Sequence, residues 1–251
     1  MLVHPLLPKL KALNLSGMAD TLDQRAQTAQ QESMAPVEFL ALLLDDELDR
    51  REQNRFRRRI KEATIDGGKT LSHFDFAAAA QVSKTLLADL ALCRFVERGD
   101  TVLLVGPTGT GKSHLAQALA YEAIKRGYQA LYQSTHTLLA SLHAGRADGS
   151  FHKTLKRLIQ IDVLVLDDFG LLPLSQQAIE DLYEIIRERY ERRSIVITSN
   201  RAPEEWSEIF GNPLLASAAL DRLTHHAHVI EIKGASYRQK QRKAKQTAKT
   251  Q

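Results

Sequence analysis

The eight residues Gly106-Pro107-Thr108-Gly109-Thr110-Gly111-Lys112-Ser113 spell a complete phosphate-binding loop, and their flanks constrain what must surround them. The apolar, β-branched run Thr101-Val102-Leu103-Leu104-Val105 precedes the loop, and the helix formers His114-Leu115-Ala116-Gln117-Ala118-Leu119-Ala120 follow it. Strand, glycine-rich loop, helix is the order that this motif requires. The glycines let backbone N–H groups turn inward around a β-phosphate, Lys112 reaches the β- and γ-oxygens, and the Ser113 hydroxyl is placed for Mg²⁺. The chain is therefore expected to bind a nucleoside triphosphate.

A second signal is independent of the first. Ile161-Asp162-Val163-Leu164-Val165-Leu166-Asp167-Asp168 is a short run of buried-strand type that ends in two carboxylates. Asp167 stands where an acid would hold the Mg²⁺ hydration shell, and Asp168 where another would polarise an attacking water. The alternative for Asp168 is a cap on the next turn, since Phe169-Gly170 follows.

At 251 residues and 43% hydrophobic content, the chain allows one sizeable domain and a small one, which excludes a disordered or fibrous protein. No stretch approaches the apolar length of a membrane helix, and Lys9 and Lys11 interrupt the apolar N-terminus, so a cytoplasmic location is expected. The single cysteine, Cys93, excludes an internal disulfide and reads as a small buried hydrophobe. The net charge of +4 is unevenly placed: seven basic residues and no acid follow Ile232, and without those seven the chain carries 27 basic residues against 30 acidic ones. The basicity belongs to a tail, which suggests a polyanionic partner.

Residues 1 to about 65 read as helical with two breaks, one at Ser16-Gly17 and one at Ala35-Pro36. Pro36 suits a first helical turn, and Val37, Leu40, Leu43, Leu44 and Leu48 form an apolar stripe after it. The stripe runs into the basic stretch Arg50 to Lys61, either a solvated helix end or a contact with nucleic acid or a partner. Asp66-Gly67-Gly68 marks a boundary, giving a helical domain over 1–68, a nucleotide-binding domain over 69–234 and a basic tail over 235–251. Strands are expected at 101–105, 129–134, 161–167, 194–199 and 228–232, with helices beginning near Ser113, Thr135, Ser175 and Pro203. That alternation predicts a five-stranded parallel sheet in an α/β domain, with ligand loops at the C-terminal strand ends.

Other residues bear on chemistry. If the strand 194–199 lies between those ending at the loop and at Asp167, Asn200 would face the γ-phosphate and hold a water; otherwise it closes a turn. Arg222, after a helix-like stretch and before the last strand, could reach a neighbouring subunit's γ-phosphate, or could pair with Asp221. His225, His226 and His228 have no carboxylate or cysteine at ligand spacing, which argues against a metal site. Lys153, Lys156 and Arg157 share a helical face, with Arg146 nearby, and could follow a phosphate backbone; a solvated face is the alternative.

Together the loop, the acid strand ending Asp167-Asp168-Phe169-Gly170, Thr198-Ser199-Asn200, Asp221-Arg222-Leu223 and Ser236-Tyr237-Arg238 resemble the IstB-like and DnaC-like AAA+ ATPases. Leu15-Ser16-Gly17-Met18-Ala19, the segment Glu47 to Arg59, and Lys69-Thr70-Leu71-Ser72-His73-Phe74-Asp75-Phe76 resemble the IstB branch. The resemblance implies an ATP- and Mg²⁺-dependent transposition helper with an AAA+ P-loop core behind a small all-α domain. It would assemble as a homo-oligomer with ATP sites at subunit interfaces, bind duplex DNA with little sequence preference, and deliver it to a transposase engaged by the N-terminal domain. Lys112 and Ser113 would be Walker A, Asp167 and Asp168 Walker B, Asn200 sensor 1, and Arg222 the arginine finger. Phe74 and Phe76 would lie near the adenine, Arg238 would stand in for a sensor 2 arginine, and Lys240, Arg242 and Lys243 would join the DNA contacts. Asp168 is one methylene shorter than the glutamate common in AAA+ proteins, which implies slow turnover. A helicase loader built on the same core is the competing function, and a small-molecule P-loop kinase a more distant one.

Overall fold

The computed structural model describes residues 5–76, 79, 81–234, 236 and 237, which divide into two compact units, 1–58 and 59–251. The first contains α1 (Leu7–Ala12), α2 (Ser16–Gln31) and most of α3 (Pro36–Glu62). Ser16-Gly17, expected as a break, is where α2 begins, and Pro36 opens α3. Gly17 is needed for a close crossing: a Cβ there would stand 2.7 Å from the Asp46 carbonyl and the Glu47 Cα. The buried Glu47 carboxylate accepts from the Gly17 N–H at 2.6 Å and the Met18 N–H at 3.4 Å, two donors that the first turn of α2 leaves orphaned. Burial raises the Glu47 pKa, but Arg51 at 2.6 Å and these N–H groups outweigh it, leaving the carboxyl below its ordinary range. Arg25 with Asp46, and Arg50 with Asp20, bind the same two helices. Part of the basic stretch is thus internal pairing.

The second unit begins before the boundary drawn at 68. The Tyr132 N–H donates to the Ala63 carbonyl at 2.8 Å and the Asp66 N–H to Gln117 at 2.9 Å, so this connector is already part of the nucleotide-binding unit. A 3₁₀ turn (Leu71–His73), α4 (Lys84–Ala91) and α5 (Arg94–Arg98) follow. Then come β1 (Thr101–Val105), α6 (Lys112–Lys125), β2 (Ala130–Ser134), α7 (Thr135–Asp148), α8 (Phe151–Gln160), β3 (Val163–Phe169), α9 (Gln176–Arg189) and β4 (Ser194–Ser199). A 3₁₀ turn (Pro203–Trp206), α10 (Ser207–Phe210), α11 (Pro213–Thr224) and β5 (Ala227–Glu231) complete it. Side-chain caps start four of these helices: Ser83 for α4, Ser134 for α7, Ser175 for α9 and Asn212 for α11.

All five strands are parallel, in the order β2-β3-β4-β1-β5, so β4 lies between the strand that leads to the phosphate loop and the acid strand. Strands β1 and β4 are buried along their whole length, and β3 everywhere but Asp168, as expected of a parallel sheet covered on both faces. One core joins Leu103, Leu164 and Ile197 to Leu182 and Ile185 of α9 and to Trp206, whose indole N–H donates to the Arg201 carbonyl at 3.2 Å.

The far edge of this core is held by a buried cation. Arg189 has no exposed surface, and its guanidinium donates to the carbonyls of Leu158, Ile159 and Ile161 at 2.6, 3.2 and 2.8 Å, to Asp162 at 3.3 Å, and to Ser194. These carbonyls include the orphaned acceptors at the C-terminus of α8, where a cation is favoured. Burial pushes the Arg189 pKa down to about 9, which leaves it charged at neutral pH. Arg189→Met should strand these acceptors and destabilise the unit by about 3–5 kcal/mol. Urea unfolding followed by circular dichroism checks this, and a loss under about 1 kcal/mol would mean that water replaces the guanidinium.

Candidate functional site

The phosphate loop lies at the C-terminal end of β1, where the ends of β3 and β4 meet it. Its glycines are required by close approaches. A Cβ on Gly106 would stand 2.1 Å from the Ile232 carbonyl oxygen, one on Gly109 2.3 Å from Ser236 Oγ, and one on Gly111 2.8 Å from the Phe74 ring. All three also have positive φ, at 143°, 82° and 101°. Pro107 and Thr108 are exposed at the loop tip, while the Thr110 hydroxyl donates back to the Pro107 carbonyl at 2.9 Å.

Lys112 is buried and folded onto its own loop. Its ammonium donates to the Gly106 carbonyl at 2.7 Å, the Pro107 carbonyl at 2.8 Å and Asn200 Oδ1 at 2.7 Å. Ser113 Oγ donates to Asp167 Oδ1 at 2.9 Å. The same buried carboxylate accepts from the hydroxyls of Tyr132 and Thr198, so residues from α6, β2 and β4 converge on one side chain of β3. Burial and the Asp167 contact push the Tyr132 pKa up, which keeps the phenol a donor.

Consecutive strand residues point to opposite faces, yet Asp167 and Asp168 line the same cleft. A bulge explains it. Leu166 pairs with Ile197 and Phe169 with Ser199, so three steps along β3 match two along β4. The extra residue falls at Asp168, whose φ is +54° and whose N–H is held by Thr198 Oγ1 at 3.1 Å. Asp167 is thereby buried against Ser113, while Asp168 is exposed at the cleft.

The cleft has a volume of about 580 Å³. Around the loop and the two acids its walls include Tyr132, Asn200, Phe74 and Tyr237, and the Tyr237 N–H donates to the Gly109 carbonyl at 2.9 Å. Phe74 packs edge-on to His114 and to Phe76, at 5.5 and 5.1 Å between ring centroids, and Phe76 stands beside Lys84 rather than in the wall. The glycine cradle fits a phosphate chain, and the oxygen-only pair Ser113 and Asp167 fits Mg²⁺.

Other sequence-derived candidates lie elsewhere. Arg222 is in the last turn of α11, its guanidinium donating to the Ala218 carbonyl at 2.7 Å and facing the rings of Tyr183 and Tyr190. No ion pair joins it to Asp221 among the described residues. With Thr101 it lines a crevice at the N-terminal edge of the sheet, the end opposite the phosphate loop. Arg146 forms a two-pronged pair with the buried Asp181, at 2.8 and 2.5 Å, and stacks on Phe151. That arrangement gives Arg146 a structural partner. Lys153, Lys156 and Arg157 lie exposed on α8, across from its buried Leu155 and Leu158. Arg238, Lys240, Arg242 and Lys243 lie outside the described residues.

Sequence pattern alone does not mark Tyr132 and Thr198. Neither belongs to the loop or acid patterns; only the pairing of β2 and β4 with β3 brings them to Asp167. Tyr132→Phe removes the hydroxyl alone and should cost about 1–3 kcal/mol by leaving a buried carboxylate oxygen short of a donor. Urea melts of the nucleotide-free protein measure it, and an unchanged midpoint would show that the phenol does not hold Asp167.

Comparison with known proteins agrees with this geometry. The sequence model of the IstB-like ATP binding protein family matches residues 8–245. An insertion-sequence ATP-binding protein of Mycobacterium tuberculosis is 38% identical over 240 residues, covering 95% of this chain and 96% of that one. Among solved structures, the DnaC helicase loader shares 26% identity at a TM-score of 0.51, over 59% of this chain and 87% of that one. The replication initiator DnaA bound to AMPPCP and single-stranded DNA superposes with a TM-score of 0.58 at 23% identity, over 68% of this chain and 52% of that one, which is a likeness of fold. The chain belongs to the IstB-like ATP-binding protein family, and its nucleotide unit is an AAA+ P-loop fold.

Proposed function

We propose that this protein is an ATP-dependent, DNA-binding transposition helper that hydrolyses ATP when subunits assemble on duplex DNA and that presents the DNA to a transposase. The observation that carries the reading is the position of Arg222. It lies at the sheet edge where β1 begins, and the phosphate loop where β1 ends, four strand rises or roughly 13 Å away along the strand. An arginine held there cannot fold back to its own cleft but is open to a neighbour's. The insertion-sequence origin of the relatives, whose similarity includes the helical N-terminal unit, favours this reading over a helicase loader.

In this reading ATP with Mg²⁺ supplies the phosphoanhydride whose cleavage drives the cycle. Lys112 leaves the loop carbonyls to neutralise phosphate charge, and Ser113 and Asp167 would hold Mg²⁺, which would supply charge neutralisation at the phosphates. Asp168, turned toward the cleft by the bulge, takes the proton of the attacking water, and Asn200 orients that water. Arg222 of an adjoining subunit stabilises the transferred charge. Phe74 shapes the base end of the cleft, and the short Asp168 side chain makes turnover slow.

Two experiments test the reading. Arg222→Ala should bind ATP yet hydrolyse it at a rate lower by about 10³-fold, and mixing it with Lys112→Ala should restore activity, because one variant keeps a nucleotide site and the other keeps the arginine. ATPase assays across mixing ratios with DNA present decide this. If no ratio exceeds the sum of the separate variants while co-sedimentation shows mixed assemblies, Arg222 does not act across an interface.

The DNA contacts are tested by salt. Affinity for duplex DNA should fall steeply with salt and vary little with sequence, and truncation after Gly234, which removes six of the seven tail charges, should reduce the salt slope. Lys153→Ala with Lys156→Ala and Arg157→Ala should reduce it further. A slope unchanged by both alterations, in fluorescence-anisotropy titrations, would mark these residues as solvated surface.

A further inference from the structure

We propose that Glu191, His225 and His226 form a site for a divalent transition metal of the zinc class, at the sheet edge opposite the nucleotide cleft. Sequence offers a histidine cluster without a carboxylate; the fold supplies one. Glu191 lies in the turn between α9 and β4, and its Oε1 is 3.6 Å from His225 Nδ1 and 3.9 Å from His226 Nε2. All three donor atoms lie within 4.8 Å of one another, and all three residues are exposed. His228 is not part of the group: its Nε2 is 3.2 Å from Asp100.

The backbone holds these donors together. Glu191 and His226 both take left-handed conformations, at φ 54° and 55°, so each turn aims its side chain back over the edge. Gly99 fixes the first turn by close packing, since a Cβ there would stand 2.8 Å from the Glu191 carbonyl carbon and the Arg192 nitrogen. The second turn is the short link from α11 to β5, and it carries both histidines.

Donor chemistry selects the metal. Two imidazoles and one carboxylate are a borderline-soft set, suited to Zn²⁺ at about 2.0–2.2 Å per bond, with a fourth position left for water. Those bond lengths place tetrahedral donors about 3.3 Å apart; the two pairs with Glu191 stand at 3.6 and 3.9 Å and all three pairs within 4.8 Å, so rotation of exposed side chains closes the set. Mg²⁺ and Ca²⁺ take oxygen ligands, so a group in which two of three donors are imidazole nitrogens disfavours them. The Tyr190 hydroxyl, 2.7 Å from His225 Nδ1, shares the nitrogen that faces Glu191 and would yield it to the metal. Occupation would staple the two turns that flank Arg222.

The test is calorimetric titration of zinc chloride into the metal-stripped full-length protein. Wild type should bind one Zn²⁺ that excess Mg²⁺ does not displace. Glu191→Gln, and His225→Ala combined with His226→Ala, should each weaken that binding by about tenfold or more, while His152→Ala, an exposed histidine on α8, should leave it unchanged. Substituted Co²⁺ should give the intense visible absorption of a tetrahedral site in wild type and lose it in the variants. Circular dichroism of each variant separates loss of ligand from loss of fold, and the single-carboxylate change, which removes no packing, remains as a second readout. Equal zinc affinity in wild type and both ligand variants, or no zinc bound by wild type, overturns the proposal.

Discussion

The nucleotide unit is organised around the carboxylate of Asp167. It is buried, and it accepts from Ser113 at the start of α6, Tyr132 on β2 and Thr198 on β4. A buried charge without donors would be costly, so each of these hydroxyls is needed where it stands. The result is mechanical as well as electrostatic. Three elements that come from different stretches of the chain are fixed relative to the one acid that the family resemblance assigns to the metal.

The bulge beside Asp167 turns a strand into a site. Without it, Asp168 would point to the opposite face of the sheet, and the two acids could not line one cleft. The left-handed backbone of Asp168 is a local cost for a residue that is not glycine, and the Thr198 hydroxyl offsets it by holding both the Asp168 N–H and the Asp167 carboxylate. Thr198 therefore links the pairing of β3 and β4 to the separate orientation of two adjacent carboxylates.

How much of this was legible in sequence depends on the range of the interaction. The loop, the acid strand and the five strands are local patterns, visible as glycine spacing and apolar runs, and they appear in the structure within two residues of their expected ends. The position of β4 between β1 and β3 enters the sequence reading only as a condition, because strand order is not written in local periodicity. The bulge, Tyr132 and Thr198 depend on register across strands, and Glu191 meets His225 and His226 only when the strand edges come together. Arg146 shows the converse. Its charge looked available beside Lys153 and Lys156, but Asp181, 35 residues away, occupies it. The short helices α4 and α5 went unread, being too brief to show a period.

Lys112 ties the loop to the end of β4. Its ammonium donates to two loop carbonyls and to Asn200, so its buried charge is met by the protein's own acceptors. In the proposed cycle, phosphate takes over this ammonium and releases the Asn200 amide oxygen on the neighbouring strand. Asn200 is then free to orient water only in the subunit that has bound nucleotide. The event at the loop thus reaches β4 through one hydrogen bond, and from β4 the core continues through Trp206, bonded to the Arg201 carbonyl, toward α11, which carries Arg222. The two ends of the sheet are thus joined by contiguous packing, from Ile197 and Trp206 to Ala216, Ala219 and Leu223 of α11.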